Sequence, residues 1–279
     1  MLIDGYPVKV RAIEIESEPG AILRSKIVKT ARMVPLYLES ERNNVPRTTP
    51  HDAFLRRRFQ KTTRQEKLMA SDQPSYEMTP VIRLRELQHA DIEKAGLILG
   101  RGMRDNPVNL RVFAIPDAER RGQALARFFG PVLRGLHRRG LIYGAYRNED
   151  LVGVCGIARP GFCQPAFLEK LCVVPAVVFG NPVDTALRVL NWTGAWAHRD
   201  PATPHWHLGP VAVDPSVQGQ GIGSAMLTAY CAHMDAYGAF SYLETDRPEN
   251  VSFYQKFGFV VMAEAEIMGV PNWFMSRSG

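Results

Sequence analysis

The sequence predicts an α/β fold in which helices flank a mixed, strongly twisted β-sheet. Strand and helix patterns alternate along the chain from residue 81 to the end. Two apolar runs, 141–146 and 151–158, are joined by a polar turn, which is typical of a hairpin. Residues 205–227 have the pattern of a strand, a glycine-rich turn and the start of a helix. Together these observations favour layers of helices packed on a sheet.

The first half of the predicted domain contains a strand at 81–84, a helix from about 91 to 99 that Gly100 ends, and a loop from 101. A longer helix is predicted from 117 to 139, because apolar residues recur at helical spacing between Leu125 and Leu136. Pro131 should kink this helix. The hairpin strands that follow belong at the centre of the sheet.

The second half begins with a long connection, 159–199, whose aromatic residues lie on expected helices and are more typical of core than of a ligand site. After the glycine-rich turn, a helix is predicted up to Gly238, its C-cap. A strand at 240–245 and a short helix from Pro248 to Gly258 come next. Two closing strands, 259–267 and 273–276, complete the pattern.

The first 77 residues lack this regularity and contain several helix and strand breakers, so we predict two parts: an N-terminal extension, 1–77, flexible or loosely packed, and a domain, 78–279. An upstream segment included by a misplaced start is the alternative. Of the net charge of +6, +4 lies in residues 1–80, where 14 Lys and Arg face 10 Asp and Glu. The nearly neutral domain makes nucleic acid an unexpected partner, since a basic run such as 56–58 is usually a solvated face.

Composition and sequence patterns also bear on localisation, on the state of the cysteines and on metal binding. The chain has no apolar run of membrane-spanning length and no secretory signal pattern, which indicates a cytoplasmic protein. The four cysteines form no CxxC pair and are expected to be reduced thiols. His205 and His207 share a strand face, but no Cys or acidic residue stands at ligand spacing beside them, so no metal is expected.

The glycine-rich turn is the strongest functional signal. Asp214-Pro215 ends a strand, and Gln218, Gly219, Gln220, Gly221, Ile222, Gly223 and Ser224 lead into the next helix. Glycines let successive backbone N–H groups converge on an anion, and the helix N-terminus adds positive potential. The spacing fits neither the dinucleotide-binding nor the P-loop pattern, and it predicts a pyrophosphate site that needs no lysine.

This turn resembles the Q/R-x-x-G-x-G/A signature of the GNAT superfamily of N-acetyltransferases, which Gln218, Gly221 and Gly223 match. The segment 241–259 is similar to the closing strand, helix and FYxxxGF signature of the same family. The combination of HW, LET, PxN and FY is similar to the branch that contains puromycin N-acetyltransferase. The resemblance begins near residue 79 and implies acetyl-CoA as co-substrate, its pyrophosphate gripped by the turn.

The resemblance also implies a role for each candidate residue. Backbone N–H groups of Val211, Ala212 and Val213 would hold the thioester and the pantetheine arm, with Pro210 unable to donate. Glu244 corresponds to the general base, acting directly or through water, with a structural salt bridge as the alternative role. Tyr254 corresponds to the acid that protonates the leaving thiolate, with a core aromatic ring as the alternative, and Asn250 would contact CoA. The loop through Asp105 and Phe113 would border the acceptor pocket.

The expected function is therefore transfer of an acetyl group from acetyl-CoA to a primary amine, of a small molecule, by direct attack in a ternary complex. Protein N-termini and lysine side chains are alternative acceptors. A non-catalytic acyl-CoA-binding regulatory domain is an alternative of a different class, which Glu244 and Tyr254 disfavour. The acceptor, the acyl-chain preference and the oligomeric state stay open at this point.

Overall fold

The computed structural model describes residues 82–279 and, among the first 81 residues, only the three short strands β1 to β3. The strands are β1 Leu2–Ile3, β2 Tyr6–Pro7, β3 Ile13–Ile15, β4 Ile82–Glu86, β5 Leu141–Arg147, β6 Asp150–Ala158, β7 Trp206–Val213, β8 Phe240–Thr245, β9 Val260–Ile267 and β10 Val270–Ser278. The helices are α1 Ile92–Met103, α2 Pro107–Phe113, α3 Ala118–Arg139, α4 Phe167–Val178, α5 Thr185–Ala197, α6 Ile222–Ala236 and α7 Pro248–Gln255.

The main sheet is mixed and has the strand order β3-β4-β5-β6-β7-β8-β10-β9. Strands β4 to β7 pair antiparallel in succession, whereas β7 and β8 are parallel neighbours joined through α6. Strand β10 returns antiparallel to β8 and carries β9 at the edge. The predicted fold class, a mixed sheet flanked by helices, is confirmed.

Buried apolar side chains form two clusters, one on each face of the sheet, because successive strand residues point to opposite faces. Val154 of β6 belongs to the cluster beneath α1, α2 and α3, and its neighbour Cys155 belongs to the cluster beneath α6 and α7. Helices α1 and α3 approach closely at Gly100, where an added Cβ would lie 2.3 Å from the Gly122 carbonyl oxygen. Gly100 therefore serves helix packing within α1, and the prediction that it ends the helix is wrong.

Two further expectations are corrected by packing. The segment 101–113 is helical over most of its length, since α1 continues to Met103 and α2 begins at Pro107. Phe113 is fully buried in the core and cannot line an acceptor pocket, and the Asp105 carboxylate pairs with Arg121 at 2.7 Å. The predicted hairpin, the long helix and the 240–245 strand are observed within one or two residues of their expected bounds.

Most of the predicted extension, 1–77, lies outside the described residues. One described part of it, β3, pairs in parallel with β4 through Ile13↔Ile82, Glu14↔Arg83 and Ile15↔Leu84. It is thus the edge strand on the β4 side of the sheet. Among the described residues, no helix is both long and apolar enough to cross a membrane.

Candidate active site

Strands β7 and β8 separate in the middle of the sheet. They pair only at Trp206↔Ser241 and His207↔Tyr242, although β7 continues to Val213 and β8 to Thr245. The register between β6 and β7 shifts at Gly209-Pro210, where β7 carries an extra residue. Such a bulge bends a strand and increases its twist, which turns the rest of β7 away from β8. A gap between the two strands is therefore built into the centre of the sheet.

Backbone groups of β7 face this gap. The Asp214 N–H donates to the Val152 carbonyl on β6 at 2.9 Å. Because alternate residues of a strand direct their backbone groups to opposite sides, the N–H groups of Val213 and Val211 point toward β8, and those of Ala212 point toward β6. Of the three predicted backbone contacts, two therefore face the gap. The Val213 carbonyl already accepts a hydrogen bond from Gln218 Nε2 at 3.0 Å.

The glycine-rich turn leads from β7 into α6 beside the gap. Gly219 and Gly221 have φ of +72° and +83°, which favour glycine because a Cβ would be strained there. The first backbone bond of the helix runs from the Ala225 N–H to the Gly221 carbonyl, at 3.0 Å. The N–H groups of the three residues between them, Ile222, Gly223 and Ser224, therefore have no partner within the helix. The predicted turn is formed, and its free N–H groups suit an anion.

Two arginines that sequence reasoning did not select hold this turn. Arg147, at the end of β5, hydrogen-bonds the side chain of Gln220. Arg101, on α1, forms an ion pair with Asp214, whose other oxygen accepts from the Ser216 N–H at 3.0 Å. Burial raises the pKa of Asp214, but the bonds from Arg101 and Ser216 outweigh burial and lower it below its usual value. Nothing in the local pattern marks Arg101 and Arg147, because they come from other elements.

Glu244 lies on β8 at the edge of the gap, and its side chain is only 3% exposed. Its Oε2 is 2.8 Å from His207 Nε2, and Asp200 Oδ1 is 3.9 Å from His207 Nδ1. Burial lowers the pKa of His207, but the neighbouring Glu244, Cys163 and Asp200 outweigh it and hold that pKa well above its usual value. Glu244 is thus paired with His207, a contact that the sequence did not predict.

Tyr254 lies on α7 and is 9% exposed. Its ring packs against those of Phe253 and Phe259, with centroids 5.6 and 5.9 Å away. Burial, and next the nearby Cys155, raise the pKa of its phenol, so the hydroxyl keeps its proton at neutral pH. Asn250, one turn earlier on α7, donates from Nδ2 to Thr245 Oγ1 at 3.1 Å.

A cavity of about 120 Å³ lies against β7 at the bulge. His207, Gly209 and Pro210 line it from the strand, and Phe162 and Cys163 line it from the connection that precedes α4. Further lining residues come from α3 and α4, among them Leu136, Arg139, Glu169 and Val173. Part of the long connection 159–199 therefore meets the strand that borders the gap.

The cavity also brings together a group of side chains from distant parts of the sequence. Cys163 Sγ is 3.3 Å from His205 Nε2, and these two residues and His207 each offer one ligand atom within 4.8 Å of the others. Burial raises the pKa of Cys163, but hydrogen bonding to His205 and His207 outweighs it and lowers the pKa to about 7. The expectation that no cysteine accompanies the histidines considered only sequence spacing, whereas Cys163 arrives through the fold. All four cysteines are free thiols.

Solved structures of similar fold are acetyltransferases. The chain is 25% identical to a structure described as histone acetyltransferase HPA2 and related acetyltransferase from Corynebacterium glutamicum, with a TM-score of 0.53, covering 70% of this chain and 94% of that one. A second similar structure is the PaiA N-acetyltransferase from Thermoplasma acidophilum in complex with coenzyme A, at 15% identity and a TM-score of 0.43, covering 71% and 99%. The first of these supports the fold.

The sequence comparison goes further than the fold. Residues 112–259, more than half of the chain, match the acetyltransferase (GNAT) family. This match spans the central hairpin, the bulged strand, the glycine-rich turn and the helix of Tyr254. The predicted enzyme class is confirmed: the chain belongs to the GNAT family of acetyl-CoA-dependent N-acetyltransferases.

Proposed function

We propose that this GNAT enzyme transfers the acetyl group of acetyl-CoA to the primary amine of a small molecule, by direct attack within a ternary complex. The observation that carries the proposal is the gap between β7 and β8, which has the glycine-rich turn at one end and the cavity at its side. A thioester lying in the gap would have its phosphates at the turn and its acetyl group beside the cavity.

The pantetheine arm of acetyl-CoA would lie in the gap as an additional strand. The N–H groups of Val211 and Val213 face that space. The arm would either displace the Gln218 side chain from the Val213 carbonyl or lie beside that hydrogen bond. The pyrophosphate would accept from the free N–H groups at the start of α6, where the helix dipole favours negative charge. Gly219 and Gly221 let the backbone approach the pyrophosphate, while Arg147 at the end of β5 holds the side chain of Gln220 in the turn.

The acceptor amine would approach from the cavity. Its proton would pass to Glu244 through water, since the carboxylate is too deeply buried for direct contact with an amine. His207 holds Oε2 of this carboxylate and leaves Oε1 for the water. Asp200 and Glu244 place two carboxylates around the His207 ring.

The chemical step then balances without an enzyme-bound acetyl group. The amine nitrogen attacks the thioester carbon, and the tetrahedral oxyanion forms next to the backbone N–H groups of β7. The C–S bond breaks, and the Tyr254 hydroxyl gives its proton to the departing CoA thiolate. Asn250, one turn away on α7, would contact the CoA arm beside the same helix.

A small acceptor is favoured by the size of the cavity and by the resemblance of HW, LET, PxN and FY to the puromycin N-acetyltransferase branch. The cavity accommodates the amine-bearing end of a small molecule. Its wall also contains Phe162, Leu136 and Val173, so an acceptor with an apolar group next to its amine fits best.

The test is release of free CoA thiol with a panel of amines: aliphatic and aromatic small amines, a lysine-containing peptide and a peptide with a free N-terminus. We expect turnover with a small apolar amine and much less with the peptides. Glu244→Gln should lower kcat/KM for that amine, with acetyl-CoA affinity unchanged. Turnover with the peptides alone would refute the small-molecule proposal. Acetyl-CoA binding without any turnover would indicate that the protein is a non-catalytic acyl-CoA-binding regulatory domain.

A further inference from the structure

The cluster beside the cavity is composed of side chains that commonly bind zinc. Cys163 comes from the connection before α4, His205 immediately precedes β7, and His207 is the second residue of that strand. Their ligand atoms lie within 4.8 Å of one another, and the Cys163 Sγ to His205 Nε2 distance is 3.3 Å. Zinc binds thiolate sulfur at about 2.3 Å and imidazole nitrogen at about 2.0–2.1 Å, so its ligands stand a few ångströms apart.

Each histidine has one nitrogen held from outside the cluster. His205 Nδ1 is 2.9 Å from the Thr203 carbonyl, which leaves Nε2 directed at Cys163. His207 Nε2 is 2.8 Å from Glu244, which leaves Nδ1 as its free ring nitrogen. Metal-binding histidines usually donate their other N–H to a carbonyl or a carboxylate, which fixes the ring and its tautomer. Both outer partners of that kind are present here.

Two buried atoms near the cluster lack a partner among the described residues. They are His207 Nδ1 and Asp200 Oδ1, which stand 3.9 Å apart, too far for a hydrogen bond. The other oxygen of Asp200 accepts from Gln164 Nε2 at 2.6 Å. Buried polar groups are usually paired with protein, with an ordered water or with an ion. A cation bound at Nδ1 would satisfy both atoms, directly or through a coordinated water.

From these contacts we propose that Cys163, His205 and His207 bind one zinc ion, with Asp200 beside the fourth position. Sulfur together with imidazole favours zinc over magnesium or calcium, which prefer oxygen ligands. The ion joins the connection before α4 to strand β7, so it fixes one wall of the cavity. It also orients His207 toward Glu244. The proposal concerns metal binding, and its tests measure metal content and cysteine protection, so their outcome does not depend on acetyl transfer.

The test uses the full chain without a polyhistidine tag. Elemental analysis after growth with added zinc should find about one zinc per chain, and Cys163→Ser and His205→Ala should each lose it. Cys172→Ser and His233→Ala are matched controls, because Cys172 is exposed on α4 and His233 lies on α6 near Tyr143. These controls should keep the metal. Glu244→Gln removes an outer partner and should weaken zinc affinity by about 10- to 100-fold.

Cobalt substitution provides a readout that does not depend on variants folding well. The cobalt-loaded wild-type chain should show a thiolate-to-cobalt charge-transfer band, and bound metal should protect Cys163 but not Cys172 from alkylation. A chain that binds no stoichiometric zinc or cobalt overturns the proposal. So does a cobalt protein without the thiolate band, or metal content unchanged by Cys163→Ser in a folded protein.

Discussion

Replacing Tyr254 with phenylalanine separates a proton donor from a packed ring. The variant keeps the aromatic contacts with Phe253 and Phe259 and deletes only the hydroxyl, which makes no hydrogen bond to any described residue. The free energy of unfolding should therefore change by less than about 1 kcal/mol. Acetyl-CoA affinity should stay the same, because the hydroxyl acts only when the thiolate leaves.

The expected loss falls on the rate of the chemical step. A phenol has an ordinary pKa near 10 and an alkyl thiol one near 8.5, so proton transfer to a free thiolate costs about 2 kcal/mol. Burial raises the pKa of Tyr254 further, which keeps the donor protonated but makes complete transfer more costly. A positioned general acid is typically worth about 10²- to 10⁴-fold. The barrier for Tyr254→Phe should therefore rise by about 2.7–5.4 kcal/mol.

Single-turnover thiol release is the appropriate assay, because it measures the chemical step apart from product release. Tyr230→Phe is the matched control: Tyr230 is fully buried in the same apolar cluster, on α6, and also has a raised phenol pKa. Loss of the Tyr230 hydroxyl should leave the single-turnover rate unchanged. Wild-type chemistry in Tyr254→Phe would refute the reasoning and make Tyr254 a core aromatic. Equal losses in both variants would show that the effect comes from packing.

Three further predictions concern the turn, the core and the extension. Gly221→Val should abolish acetyl-CoA binding, measured by calorimetry, since its φ of +83° and its place in the turn exclude a side chain. Gly238→Val, with φ +55° at the far end of α6, is the control and should retain binding. Unchanged affinity in folded Gly221→Val would remove the turn from the site. Gly100→Ala should destabilise the fold by about 1–3 kcal/mol in chemical denaturation, because its Cβ would meet the Gly122 carbonyl. Gly194→Ala in α5, with open space around it, is the control and should stabilise the fold by about 0.5–1 kcal/mol. A Gly100→Ala variant of unchanged stability would contradict the close helix contact. A chain that begins at Met78 should keep kcat/KM, because β3 is separated from β7 by three strands, and an inactive truncated chain beside active full-length protein would show that the extension supports catalysis.

Local patterns in the sequence were sufficient for most of the order of elements from residue 81 onward and for the glycine-rich turn. Strand and helix periodicities depend on residues close together in the chain, and so do the turn glycines and the Asp214-Pro215 stop. Pattern reasoning failed where a local signal had a non-local cause. Gly100 looked like a helix end but lies inside α1. A glycine is needed there because its missing side chain lets α3 approach. The segment 101–113 looked like a loop, yet its helices are stabilised by burial of Phe113.

The composition of the candidate site was decided only by the tertiary structure. Glu244 and Tyr254 could be selected from the sequence, but their burial and partners could not. His207 reaches Glu244 only because β7 and β8 are parallel neighbours that pair at that point. Cys163 lies 42 residues before His205 and meets it through the connection that precedes α4. Contacts between residues so distant in sequence depend on how the whole chain packs, and no local pattern encodes them.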